Sequence, residues 1–186
     1  VLLYVDEAHA FGVRGRQGLG CAEEFHCIHD IDFLVGTFGK AAASVGAYIV
    51  CKKVIREYLV NRMRTLIFTT GRPPVNIAWT VFIVRRLADM QERRKHLAHI
   101  SRTLREALQV RGYTCPSVSH IVPMIIGPSA DTVLQAEALQ RHGFYALPVS
   151  PPTVPEGMSR IRFSLTAEIR KEEIEELSNN ISAYTD

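Results

Sequence analysis

The first five residues, Val1-Leu-Leu-Tyr-Val5, form an unbroken apolar run that stops at Asp6, with Glu7 and His9 directly behind it. A short continuous run of this kind reads as a strand buried on both faces, and such strands belong to parallel sheets covered by helices. The chain is therefore expected to be α/β, with Asp6 and His9 at the carboxyl end of a strand, where open α/β sheets bind ligands. Termini usually lie at the surface. A chain that starts inside such a strand, with neither an initiating methionine nor a signal peptide, is expected to be the C-terminal part of a longer protein.

Strands and helices alternate behind that opening. A glycine-rich loop (Gly12, Gly15, Gly18, Gly20) leads to a short helix near residues 21–27, and further apolar strands are expected over 32–36 and 46–51. A helix follows over about 52–63. Pro73 and Pro74 open a long helix, since proline is tolerated in a first turn. Its apolar positions Ile77, Val81, Val84, Leu87 and Ala88 recur at helical spacing, charge takes over across 91–95, and the pattern resumes at Leu97, Ile100, Leu104 and Leu108. The remainder predicts strand 121–126, helix 132–142, strands 144–149 and 160–165, and helix 171–184. The expected division is thus residues 1–92, part of a large α/β domain with the start of a long linking helix, and residues 93–186, a small α+β domain.

Composition narrows the function classes. A chain 47% hydrophobic and 22% charged is that of a globular protein with a real core. The net charge of +3 is too mild to imply nucleic acid or an anionic membrane as partner. The longest apolar-rich stretch, 75–84, is broken by Asn76 and followed by Arg85 and Arg86, too short to span a bilayer. Cys21, Cys27, Cys51 and Cys115 show no paired spacing, and with His26 and His29 they match no zinc pattern. No metal is expected, and a reducing cytoplasm is the simplest setting.

Two chemistries compete for Asp6-Glu-Ala-His9. It resembles the magnesium-binding box of DEAH-type ATPases, in which the aspartate meets the metal and the glutamate orients water. Those enzymes need a Gly-Lys-Ser/Thr phosphate loop upstream. Here Gly39-Lys40 lies downstream and is followed by Ala41. The alternative is an aldehyde cofactor with a basic ring nitrogen: aspartate holds the nitrogen protonated, histidine meets the ring hydroxyl, and lysine forms an imine. Lys40 follows a strand and is flanked by Gly39, Ala41, Ala42, Ala43 and Ser44. Small neighbours let a flat ligand approach, and a desolvated lysine is a competent imine-forming nucleophile.

Val5-Asp-Glu-Ala-His-Ala-Phe-Gly12, Gly18-Leu-Gly20, Thr37-Phe-Gly-Lys40-Ala, Phe68-Thr-Thr-Gly-Arg-Pro-Pro74 and Pro151-Pro-Thr-Val-Pro-Glu-Gly157 with Arg160-Ile-Arg162 occur in that order. Together they resemble the α-oxoamine synthases, fold-type I pyridoxal-phosphate transferases, over nearly the whole chain. The proline-rich segment looks most like the biotin-pathway branch; the glycine C-acetyltransferase, 5-aminolevulinate synthase and serine palmitoyltransferase branches are close relatives. The resemblance implies pyridoxal 5′-phosphate as cofactor, an amino acid and an acyl-CoA or acyl carrier protein as substrates, and a homodimer with shared active sites. It implies that Lys40 carries the cofactor imine and acts as base, that Asp6 pairs with the ring nitrogen and that His9 meets the ring hydroxyl. Thr37 would contact the phosphate, and Thr70 would reach the phosphate of a neighbouring subunit. Thr153 would line the substrate site and Arg162 would bind the amino acid's carboxylate.

Two departures matter. Ser150 stands where many such synthases have an arginine before the proline-rich segment. The family's N-terminal half is absent, and with it other cofactor contacts and most of the acyl site, so the chain alone is expected to be inactive.

Overall fold

The computed structural model describes residues 1–184; the last two residues of the expected second domain lie outside them. The chain divides into two compact units, Val1–Arg94 and Lys95–Asp186.

The first unit is built on a three-stranded sheet in the order β1 (Tyr4–Asp6), β2 (Phe33–Thr37), β3 (Ala47–Cys51). β1 and β2 are parallel, with Asp6 beside Val35. β3 runs antiparallel to β2, with Gly36 opposite Tyr48 and Thr37 opposite Ala47. Between β1 and β2 lie the glycine-rich loop and the short helix α1 (Cys21–Glu24). Helices α2 (Lys53–Arg62), α3 (Arg64–Ile67) and α4 (Pro74–Arg86) follow β3, and α4 starts on a proline as expected. Two small apolar clusters hold the unit. Phe11, Ala42 and Leu87 pack with Phe38, Tyr48, Ile83 and Met90; Ala22, Ile31 and Leu34 pack with Val5, Cys27 and Ile28.

The expectation that the opening strand is buried on both faces is corrected. Leu2, Leu3 and Tyr4 are exposed and ordered strand begins only at Tyr4. β1 is an edge strand, and no second neighbour covers it among the described residues. Of the apolar positions read at helical spacing from Pro74 onward, Ile77, Val81 and Val84 are exposed and Leu87 is buried, and Thr80 is buried on α4 as well. The long helix is also interrupted. Leu87–Met90 forms a 3-10 turn before α5 (Gln91–Val110), and Arg94 Nη1 donates to the Leu87 carbonyl at 2.6 Å. That guanidinium takes a carbonyl that a continuous α-helix would give to the amide four residues on.

In the second unit, β4 (Ile121–Gly127), β6 (Ser159–Ser164) and β5 (Pro148–Val149) form an antiparallel sheet in the order β4-β6-β5. α6 (Ser129–Arg141) packs on this sheet, and α7 (Lys171–Asn179) closes the chain. Leu97, Ile100, Leu104 and Leu108 of α5 are buried at the spacing the sequence predicts, with Val122, Met124, Ile161, Ile174 and Leu177. The predicted strand over 144–149 shrinks to two residues, because Phe144 N donates to Leu139 O and ties that segment to the end of α6. The last helix ends at Asn179 rather than continuing to 184. Tyr184 instead donates its amide to Arg111 O and its hydroxyl to Ile126 O.

Candidate active site

Parallel pairing of β1 with β2 brings their carboxyl ends to the same edge of the sheet, so Asp6, His9, Thr37 and Lys40 all issue from one end. Asp6 is exposed, and its Oδ1 accepts the Ala8 amide at 2.8 Å, which fixes the carboxylate at the start of the turn. His9 is exposed on that turn.

Glu7 has a different fate. It is almost fully buried, its Oε2 accepts the Cys21 amide at 2.9 Å, and its Oε1 accepts the Ala22 amide at 2.6 Å. The side chain thus satisfies the first free amides of α1. Its backbone amide extends the ladder to Val35 O, and its carbonyl accepts from Ala10 and Phe11. An ATPase box needs this glutamate turned toward a water; here it is committed to holding the loop.

The glycine-rich loop is organised by carboxylates of α1. Glu23 accepts the amides of Gln17 and Leu19 at 2.8 and 2.9 Å, and Glu24 makes a two-pronged pair with Arg14 at 2.7 Å on each prong. The guanidinium holds the Glu24 carboxyl below its ordinary range. Gly12, at φ 80°, lies so close to Ala41 that a Cβ there would sit 2.6 Å from the alanine Cβ. The loop therefore packs against the neighbour of Lys40.

Lys40 is exposed on the loop between β2 and β3, so the desolvation expected for it is not realised. That loop is closed by its own backbone: Phe38 N donates to Gly46 O, Ser44 N to Phe38 O, and Ala43 N to Lys40 O. Thr37 Oγ1 donates to Gly46 O at 3.1 Å and accepts from Gly39 N at 3.2 Å. A Thr37 contact to a phosphate therefore requires its proton to turn from Gly46 O.

Residues of α4 and the segment before it brace the loop from outside. Trp79 Nε1 donates to Ala43 O at 3.0 Å. Thr80 donates its own proton to Asn76 O, so Ser44 Oγ is the donor in the 2.7 Å bond between the two hydroxyls. Arg72 donates to Val45 O and Ala47 O. Sequence reasoning missed Glu7 in this role, Arg72, Trp79 and Thr80. Glu7 and Arg72 stand inside motifs already singled out, but their partners are backbone groups that no residue pattern reports.

Tyr48 lies under the same end, its ring 5.2 Å from those of Phe11 and Phe38. Burial, aided by the Glu7 and Asp6 carboxylates, pushes its hydroxyl up to about 12. Thr70 is exposed between α3 and α4, two residues before Arg72.

Thr153 and Arg162 belong to the second unit. Thr153 is exposed on a turn, its amide bonded to Ser150 O at 3.1 Å. Arg162 is exposed on β6 opposite Pro123 and lines an open cavity of about 440 Å³ with His142, Tyr145 and Glu173.

The family model for aminotransferases of class I and II matches residues 1–181. A putative 8-amino-7-oxononanoate synthase of Pasteurella multocida is 55% identical over 177 residues, covering 95% of this chain and 46% of the relative. Among solved structures, the serine palmitoyltransferase of Sphingomonas wittichii superposes with a TM-score of 0.90 at 34% identity, covering 96% of this chain and 46% of that one. A serine palmitoyltransferase variant of S. paucimobilis, solved with a bound PLP–myriocin aldimine, superposes with a TM-score of 0.89 at 29% identity over the same shares. The chain spans about half the length of the curated relatives it matches.

Proposed function

Since the chain belongs to the aminotransferase class I and II family, we propose that it forms the second half of an α-oxoamine synthase. That enzyme would join L-alanine to the acyl group of pimeloyl-CoA, or of a pimeloyl carrier protein, giving 8-amino-7-oxononanoate, CoA and carbon dioxide for biotin synthesis. The observation that carries this reading is that a carboxylate, an imidazole, a hydroxyl and an exposed amine (Asp6, His9, Thr37 and Lys40) all lie at or beyond the carboxyl end of a parallel strand pair.

That donor set fits pyridoxal 5′-phosphate. When bound, the cofactor supplies an aldehyde for an amine and a ring that accepts the electron pair left at the substrate's Cα. Lys40 would offer the amine that holds the aldehyde and would be the base at the substrate's Cα proton. Asp6 would hold the ring nitrogen protonated, and His9 would bond the ring hydroxyl. Thr37 would serve the phosphate, and Thr70 the phosphate of the neighbouring subunit in a homodimer. Arg162 forks onto the substrate carboxylate, while Thr153 lines the substrate site. The net exchange would form one bond between the amino acid's Cα and the acyl carbonyl carbon, release CoA from the thioester and the carboxylate as carbon dioxide, and restore one proton to Cα.

The likeness to serine palmitoyltransferases favours a second reading, with serine and a long acyl-CoA as substrates. The higher identity to the putative 8-amino-7-oxononanoate synthase supports the first. Full-length protein assayed with alanine, glycine or serine against pimeloyl-, acetyl- and palmitoyl-CoA separates them. CoA release with alanine and pimeloyl-CoA is expected; release only with serine and palmitoyl-CoA would transfer the assignment.

A further inference from the structure

We propose that Arg72 is a positioning residue for Lys40 and Thr37, clamping the two carbonyls that flank Gly46 and so fixing the loop that carries both side chains. The proposal rests on the reading of Lys40 as the lysine that takes the cofactor's aldehyde.

Arg72 Nη1 donates to Val45 O at 3.0 Å and Nη2 to Ala47 O at 3.4 Å, so one planar guanidinium bridges the carbonyls of the residues before and after Gly46. Its Cζ lies 5.8 Å from the centroid of Phe38, within reach of a cation–π contact. Gly46 is shaped to receive it. Its φ of 105° strains any other residue, and a Cβ there would stand 2.3 Å from Arg72 Nη1, so a side chain at 46 would push the guanidinium off its carbonyls. The Gly46 carbonyl accepts both the Phe38 amide and the Thr37 hydroxyl. Holding the carbonyls of Val45 and Ala47 therefore steadies the Gly46 carbonyl between them, the base of the loop from which Lys40 emerges and the place of the Thr37 side chain. Trp79 and Thr80 hold the far side at Ala43 and Ser44, and Arg72 grips the near side at Val45 and Ala47. A lysine at position 72 has one ammonium on a flexible stem and cannot fork across both carbonyls.

The test compares unaltered full-length protein with Arg72→Ala and Arg72→Lys. In the cofactor-free protein, Arg72→Ala should raise hydrogen exchange of amides 38–46 by about fivefold, the effect of losing about one net hydrogen bond, and leave the second unit unchanged. With cofactor bound, the pH titration of its visible absorbance should shift. The kcat should fall about tenfold, with KM for the amino acid within roughly twofold. Arg72→Lys should lie between. Wild-type exchange together with a wild-type absorbance titration in Arg72→Ala overturns the proposal. Faster exchange across the whole chain, or failure of Arg72→Lys as well as Arg72→Ala to fold, also overturns it, since the residue then supports the fold at large. If borohydride traps no cofactor on Lys40 of the unaltered protein, the reading of Lys40 falls and takes this inference with it.

Discussion

The indole Nε1 of Trp79 donates to the carbonyl of Ala43, three residues beyond Lys40, at 3.0 Å. A helix distant in sequence thus holds the tip of the loop that carries the candidate catalytic amine. Trp79→Phe keeps a ring for Phe82, whose centroid lies 5.7 Å away, but removes the donor. The loss of about 1 kcal/mol of net hydrogen bonding should speed exchange at the Ser44 amide roughly fivefold. Unchanged exchange by mass spectrometry or NMR would show that the tether is not holding the loop.

Glu7 is expected to matter for stability without touching substrate. Glu7→Ala strips the amides of Cys21 and Ala22 of their acceptors. Cap loss and an emptied buried site together should cost about 2 kcal/mol. Glu7→Gln retains one acceptor but turns an amide donor toward an N–H, and about 1 kcal/mol is expected. Urea unfolding at neutral pH, followed by far-UV circular dichroism, measures both. Equal stability of Glu7→Ala and wild type would remove the cap from the account.

Much of this architecture is legible in the sequence, because the chemistry sits at strand ends and the periodicity of α5 is clean. Asp6 and Lys40 stand in compact motifs whose residue types declare a purpose. Trp79 and Arg72 do not, since they bond to carbonyls 36 and 27 residues away and any residue at those positions would offer the same carbonyl. The burial expected of the opening strand is not realised for a related reason. An apolar run reports that a strand is suited to burial, whereas coverage depends on neighbours, and among the described residues β1 has only β2 beside it. The shortened β5 follows from the tie of Phe144 to α6, a tertiary bond with no local signature.

The Arg14–Glu24 pair predicts an acid-side effect. Arg14 holds Glu24 below its ordinary value, so the pair's contribution is present above the unfolded carboxyl's range and is lost as pH falls through the lowered folded value. Glu24 is more than a third exposed, and water screens much of the pair. Glu24→Gln should therefore be slightly less stable than wild type at neutral pH, and the two should converge once pH drops below the carboxylate range. Parallel stability curves from pH 7 to pH 3 would contradict this linkage.

Tyr48 predicts the alkaline counterpart. Its hydroxyl is pushed up from 10 to about 12, chiefly by burial. Because the folded value is the higher one, its contribution is complete below pH 10 and is lost as pH rises toward 12. Tyr48→Phe should flatten the fall in stability over that interval. In wild type, the ultraviolet difference between the two proteins should develop near pH 12 rather than pH 10. Ionisation of Tyr48 near pH 10 would show that the aromatic cluster with Phe11 and Phe38 is open to water.

The most direct measurement is reduction of the full-length protein with borohydride in the presence of pyridoxal 5′-phosphate, followed by peptide mass mapping. The cofactor adduct is predicted on Lys40 and should vanish in Lys40→Ala. An adduct on another lysine with Lys40 unmodified, or no adduct at all, would contradict the assignment of this sheet end as the active site.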